Sequence, residues 1–380
     1  MRCVVVGAGA WGLPAAAELA GRGHDVTLVD RYGVAHRLAS SPGPTRLWRV
    51  THPDAVRVRL ARRSVEAMQR LASRSGQTVF LRRGLLWRDD ASLAAVATAL
   101  AAEGVEHEVV PAAAVGRLPL GLRPDGRDAV WQPDAGPVLA AASMAAQAAL
   151  FDAAGGVLEV GPVVREVRTT ADGVRLHRAD GQVMDADVVV LAPGPGAQPL
   201  LASVGVDLPL RPHLEQVVHF GRPGGSGATD DLPCLFDGPR GDEPGLYAMP
   251  TPGVGYKVGL DRPLRDWAEA DDDRTPDPAL VAATTERVRR DVTGVPPVPL
   301  DAQVCSWTDS PDGRFVIDTL PGGVVVACGD SGEGFKFSAL MGLLLADLAE
   351  GRTPDADVAT FSLARFERGL PVPGPHVLGR

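Results

Sequence analysis

Cysteine is scarce in this chain. Four are spread over 380 residues, at positions 3, 234, 305 and 328, with neither metal-ligand spacing nor the density of a secreted disulfide scaffold. Reduced thiols in a cytoplasm are the expectation. A long basic run is also missing, and 38 basic against 47 acidic residues leave a formal charge of −9. That balance argues against nucleic acid or an anionic membrane surface as partner. The longest candidate membrane segment, near 135–151, is alanine-rich and broken by Ser143 and Gln147, so no anchor is expected. Internal repeats and low-complexity tracts are absent as well. What is present, 45% hydrophobic residues and 44 glycines, suits a soluble enzyme of two intimately joined lobes acting on a small molecule.

The N-terminus reads as a compact βαβ unit, with a buried strand over 3–6, a helix over 11–21 and a second strand over 25–30. Gly7, Gly9 and Gly12 form GxGxxG between the first strand and the helix. Glycine there permits a tight turn and close approach of a pyrophosphate, with helix-terminal amides facing the phosphates. Asp30 closes the second strand, 18 residues beyond Gly12, where a carboxylate meets a ribose hydroxyl. Helical spacing recurs over 53–75, 92–103 and 276–292, an alanine-rich helix is expected over 137–154, and an apolar helix over 337–349. Short strands are expected over 78–88, 157–160, 163–169, 174–178, 183–192 and 324–327, with further strand-like sequence over 212–262.

The fingerprint alone does not separate FAD from NAD. A late apolar strand running into a Gly/Pro turn, ADVVVLAPGPG (Ala186 to Gly196, with Gly194 in the turn), is similar to the strand that returns to the nucleotide domain in flavoproteins of the glutathione-reductase type. Five further segments are ordered along the chain: PTRLWR (Pro44 to Arg49), the EQVVHF strand (Glu215 to Phe220), GYKVG (Gly255 to Gly259), VCSWTDSPDGRFVID (Val304 to Asp318) and ACGDSGEGFKFS (Ala327 to Ser338). On these segments the chain resembles the D-amino-acid oxidase superfamily of FAD-dependent oxidoreductases, closest to the monomeric sarcosine oxidases and N-methyltryptophan oxidases. The resemblance implies an α/β fold, with a Rossmann-like FAD-binding domain of glutathione-reductase type discontinuous over 1–50, 136–210 and 312–380. A mixed-sheet α+β substrate domain is then inserted over 51–135 and 211–311.

The resemblance also implies roles. Cys305 falls where sarcosine-oxidase-like members tether FAD through a thioether, although a bare cysteine is more often a small buried hydrophobe. Its flank Thr308 to Gly313 reads as a turn. Thr45 and Arg46 fall beside the flavin, as do Gly332 and Gly334 in the turn before the closing helix. Arg49 and Lys336 correspond to the pair that forks a substrate carboxylate, and Lys336 lies between Phe335 and Phe337, where an unpaired ammonium is costly. Arg46 and Arg49, three apart in an extended segment, should project to opposite faces. Lys257 matches the lysine that activates dioxygen, and Tyr247 and Met249 line the pocket.

Departures from the family pattern fall at Ser41, Pro42, Asp261 and Glu333, each where histidine is usual. Asp261 beside the substrate would favour a ring N–H, so cyclic imino acids should outrank sarcosine; equally, it could be a rim residue paired with Arg262. The implied reaction is oxidation of the C–N bond of a small secondary amine or (cyclic) imino or amino acid, carrying a carboxylate, to an imine, with dioxygen returning the flavin to its oxidised state and hydrogen peroxide released. The alternative is a dehydrogenase or FAD-binding subunit that passes electrons to a partner protein. A monomer or small homo-oligomer is expected.

Overall fold

The computed structural model describes residues 1–161, 163–225, 227–367 and 369; the end of the expected FAD-binding segment, 370–380, lies outside them. Two sheets organise the chain. The first has six strands in the order Val316–Leu320, Val324–Cys328, Val188–Leu191, Arg2–Val6, Asp25–Asp30 and Val157–Val160. All neighbours are parallel except the Val316–Leu320 edge. Its central strands Arg2–Val6, Val188–Leu191 and Val324–Cys328 are buried on both faces and read as near-continuous valine and leucine, whereas the Val157–Val160 edge is exposed.

Alternation along Arg2–Val6 decides what covers each face. Cys3 and Val5 pack into a core shared with the helices Gly12–Gly21, Ala140–Ala153 and Ser338–Ala349, whereas Val4 and Val6 pack against a three-stranded sheet of Val164–Thr170, Gly173–Arg178 and Val183–Ala186. The apolar stretch expected as one strand over 183–192 is therefore two strands in two sheets. Asp187 marks the break: its carboxylate accepts from the Arg2 backbone N–H at 2.7 Å and from the Arg2 guanidinium at 3.1 Å. A continuous apolar run carries no sign of such a switch.

The second sheet is mixed and nine-stranded. Its spine is Arg211–Phe220, Gly255–Leu260, Leu246–Thr251, Cys234–Asp237, Leu85–Arg88 and Ala129–Gln132, and Pro299–Asp309 runs antiparallel along Arg211–Phe220. Thr308 and Asp309 thus belong to a strand, and the turn expected from 308 begins after them. The expected helix over 137–154 also starts late, at Ala140, because Gly136–Leu139 pairs antiparallel with Thr45–Trp48. Gly136 is held there by close approach: a Cβ on it would lie 1.8 Å from the Leu81 carbonyl oxygen.

A buried ion network pins this sheet. Asp237, 1% exposed, accepts from Arg88 Nε at 2.9 Å and Arg127 Nη2 at 2.6 Å on one oxygen, and its other oxygen lies 3.2 Å from Arg287 Nη2. The long helix Ala55–Ser75 begins at Asp54, whose side chain caps the Arg57 N–H, and it buries Arg57, Val58, Leu60, Ala61, Ser64, Ala67, Met68 and Leu71 along one stripe. Among the described residues no helix is long and apolar enough to cross a membrane.

Candidate active site

A cavity of about 930 Å³ runs between the two sheets, near the top of the roughly 300–1,000 Å³ usual for ligand sites. Its N-terminal end is the glycine turn. Gly7 takes φ +105°, and a Cβ there would lie 2.3 Å from the Ala192 carbonyl oxygen; a Cβ on Gly12 would lie 1.9 Å from the Gly7 carbonyl oxygen. Gly9 is different. A Cβ on it would meet only the Ser41 hydroxyl, at 3.3 Å, and Gly9 opens onto the cavity whereas Gly12 sits behind, where helix and strand touch. No side chain caps the helix that starts at Gly12; the Leu13 N–H donates to the Gly9 carbonyl at 3.1 Å and Pro14 has no N–H, so an anion at this end would be met by the Trp11 and Gly12 amides.

Asp30 lines the same end, its oxygens accepting from the N–H groups of Ala8 at 2.7 Å, Tyr32 at 2.7 Å and Gly33 at 2.8 Å. Those bonds fix the carboxylate's orientation and leave lone pairs for further donors. Gly194, Gly332 and Gly334 line the cavity too. Ser41, read from sequence only as a replacement for histidine, accepts from the Ala10 N–H at 2.8 Å and shapes the turn.

Farther in, strand register gathers the chemistry. Glu215 pairs with Cys305, His219 with Lys257, Met249 with Lys257 and Tyr247 with Gly259. Residues two apart on a strand share a face, so Glu215, Tyr247, Met249, Lys257 and Cys305 all stand on one side of the large sheet and line the cavity. Gly259 gives Tyr247 its place, since a Cβ there would lie 2.4 Å from the phenol ring.

The Tyr247 hydroxyl donates a short bond to the Glu215 carboxylate, and burial together with that carboxylate pushes its pKa well above the ordinary value. Glu215 opens the EQVVHF segment, but nothing in the sequence gives its side chain a role. It is visible only once register sets it opposite Cys305. The Cys305 thiol is raised by burial and by Glu215, which outweigh the opposing pull of Arg46 and Lys257.

Lys257 is buried and donates a short bond to the Thr45 carbonyl oxygen. Burial, with Arg46 adding repulsion, pulls its pKa down to about 7. Thr45 departs from expectation. Its hydroxyl is fully buried against Thr251 at 2.7 Å and does not line the cavity, so only its carbonyl serves the site, as the anchor of Lys257. Arg46 is bound to the carbonyl oxygens of Ser40 at 3.1 Å, Pro42 at 2.6 Å and Thr45 at 3.0 Å, a backbone cradle that holds it at the cavity wall.

The expected fork of Arg49 and Lys336 is present but not open. Glu333 lies between them: Arg49 Nη2 donates to its Oε1, Lys336 Nζ is 3.2 Å from the same oxygen, and Arg57 Nη1 is 3.6 Å from Oε2. The carboxylate expected from a substrate is thus supplied by the chain. Burial opposes ionisation of Glu333, yet Lys336, Arg49 and Arg57 outweigh it and hold its carboxyl at about 2. Lys336 falls to about 7 through burial, with Glu333 resisting and Arg49 reinforcing the fall.

Arg57 was legible only as one arginine among many in its helix. The signal that marks it is position, three and four residues before Leu60 and Ala61 on the buried stripe. Asp261 does not line the cavity. It follows the strand Gly255–Leu260, its N–H donating to the Gly245 carbonyl at 2.8 Å, and its charge reaches Arg49. Direct contact of Asp261 with a substrate nitrogen is therefore not what the fold provides.

A glycine cradle at a helix start on a parallel sheet, facing a mixed sheet across a ligand-sized cavity, defines a dinucleotide-dependent enzyme with its second lobe over the reacting end. The chain belongs to the FAD dependent oxidoreductase family, whose profile it matches over residues 2–348. It is 29% identical to monomeric sarcosine oxidase from Streptomyces avermitilis, covering 96% of this chain and 97% of that one, and 27% identical to N-methyl-L-tryptophan oxidase from Citrobacter koseri, covering 96% and 98%.

Among solved structures it resembles an open form of a variant of NikD, described as an unusual amino acid oxidase essential for nikkomycin biosynthesis, with TM-score 0.82, 25% identity and coverage of 95% and 96%. Glycine oxidase from Geobacillus kaustophilus shares the fold, with TM-score 0.80, 23% identity and coverage of 96% and 99%. The chain is an FAD-dependent amine oxidoreductase. The glycine cradle, the uncapped helix start and the size of the cavity fit that cofactor.

Proposed function

We propose that the chain oxidises the C–N bond of a small secondary amine, or a derivative of an amino or imino acid, to an imine, with dioxygen as electron acceptor and hydrogen peroxide as product. Bound FAD supplies the hydride-accepting chemistry. In this reading the Gly7/Gly9 turn and the helix start hold the pyrophosphate, Asp30 holds the ribose, Cys305 carries a thioether tether, and the segments 1–50, 136–210 and 312–369 form the FAD lobe. Segments 51–135 and 211–311 roof the reacting end. Tyr247 and Met249 shape the substrate pocket, and Arg46 lies against the ring.

The observation that carries the oxidase reading is Lys257, a buried cation tied by its ammonium to the Thr45 carbonyl on the cavity's sheet face. In its protonated form, this positive charge in a desolvated site favours electron transfer onto oxygen more than it favours amine oxidation. It supports the oxidase reading over a dehydrogenase or electron-passing subunit. The test is peroxide yield with oxygen as sole acceptor across a panel of small secondary amines. One peroxide per amine consumed supports the proposal, and turnover that occurs only with an artificial electron carrier rules it out.

A further inference from the structure

We infer that Glu333 fills the anion clamp from within, so that the cavity takes amines whose far end is neutral, an amide, ester or hydrocarbon, and rejects those carrying a free carboxylate there. This rests on the amine-oxidising reading above and narrows its substrate class. Four buried side chains meet at this point: Arg49, Arg57, Glu333 and Lys336 are 5%, 9%, 8% and 4% exposed. Both ends of Arg49 are engaged, since Nη1 donates to the Thr51 carbonyl and lies 3.3 Å from His52 Nδ1 while Nη2 holds Glu333. Its guanidinium also lies over the Trp87 ring, 4.5 Å from the centroid. Turning it toward a ligand would break all of these.

Charge balance points the same way. Arg49, Arg57 and Lys336 are three cations. Facing them are Glu333, Asp54 at 3.6 Å from Arg57 Nε, and Asp261, whose charge acts on Arg49. Asp54 is 46% exposed, whereas Glu333 is the buried carboxylate held directly among the three cations, so a substrate carboxylate would enter beside it in a desolvated pocket, an arrangement that rejects a ligand by like-charge repulsion. The backbone that carries Glu333 is also fixed. Its N–H donates to the Asp330 carbonyl at 2.9 Å, and the next residue, Gly334, is wedged so that a Cβ would lie 2.7 Å from Asp330 Cβ and 3.0 Å from the Trp11 ring.

The test uses two non-oxidisable probes of one shape, pyrrole-2-carboxylate and pyrrole-2-carboxamide, titrated into the holoenzyme by calorimetry and flavin difference absorbance. Wild type should bind the carboxamide at least tenfold more tightly than the carboxylate, and Glu333→Gln should reverse that order. Equal or tighter binding of the carboxylate by wild type overturns the inference, as does a Glu333→Gln protein that folds and keeps the wild-type preference. Should the glutamine variant not fold, Glu333→His, restoring the residue usual at this position, supplies the reversed arm. Flavin bleaching by amines is scored separately, so a wrong preference with bleaching intact overturns only this inference, and no bleaching by any amine overturns the function.

Discussion

Single side chains in this cavity have separable jobs, and each can be removed alone. Lys257→Met takes away a buried charge without adding bulk. Under the proposed role it should slow flavin reoxidation by oxygen at least tenfold and leave anaerobic reduction by amine within about twofold, read by stopped flow; equal slowing of both halves would deny it the oxygen step. The sign with pH follows from its depressed pKa. The ammonium is protonated below about 7 and lost above it, so oxygen reactivity should fall as pH rises through that value.

Cys305→Ala should release flavin into the supernatant on acid precipitation while leaving the fold, because the glycine turn does not depend on the tether. Glu333 governs acid stability instead. Its folded pKa of about 2 lies below the ordinary 4.5, so the unfolded state binds more protons between these values. The stabilisation is complete above 4.5 and is lost as pH falls toward 2, on the order of 3 kcal/mol in all. In Glu333→Gln the denaturation midpoint should depend less steeply on pH over that window.

At the scale of elements, the glycine fingerprint divides into two functions that its spacing does not reveal. Gly12→Ala must move backbone, with its Cβ 1.9 Å from the Gly7 oxygen, and should cost the protein about 1–3 kcal/mol even without cofactor, as overpacking does. Gly9→Ala meets only the Ser41 hydroxyl, at 3.3 Å, which must give by a few tenths of an ångström, so the apoprotein should lose less stability than with Gly12→Ala while FAD binding weakens. A matched loss of apoprotein stability in both would erase the distinction.

In the large sheet, Asp237→Ala removes a buried partner from Arg88, Arg127 and Arg287, which keep Asp125 or Asp291, so the cost should fall below the roughly 3–5 kcal/mol of a buried charge left wholly unpaired. Chemical denaturation measures it. The reading of elements from sequence succeeded where one period ran uninterrupted, as in Arg2–Val6, Gly12–Gly21 and Asp25–Asp30. It failed where two states share one composition. The alanines after Leu139 hid the short strand Gly136–Leu139, and the valines around Asp187 hid a change of sheet.

Over the whole molecule, the site is made by juxtaposing segments far apart in sequence, and that limits what the sequence shows. Ordered motifs located Arg46, Arg49, Lys257, Cys305 and Lys336, and all five line the one cavity. Their partners were not legible. Glu215 reaches Tyr247 through the sheet, Arg57 reaches Glu333 from a helix more than 270 residues away in sequence, and Thr45 contributes its carbonyl rather than its hydroxyl. Such pairings depend on which lobe closes over which, and no local pattern records that.

The same closure makes the central claim simple to test: the cavity must bring a small amine against the flavin. Anaerobic titration of the purified holoenzyme with secondary amines, followed by the visible flavin band, tests it most directly. At least one small amine should bleach the band completely near one equivalent. A band that no amine diminishes, yet that a chemical reductant bleaches, would contradict the account.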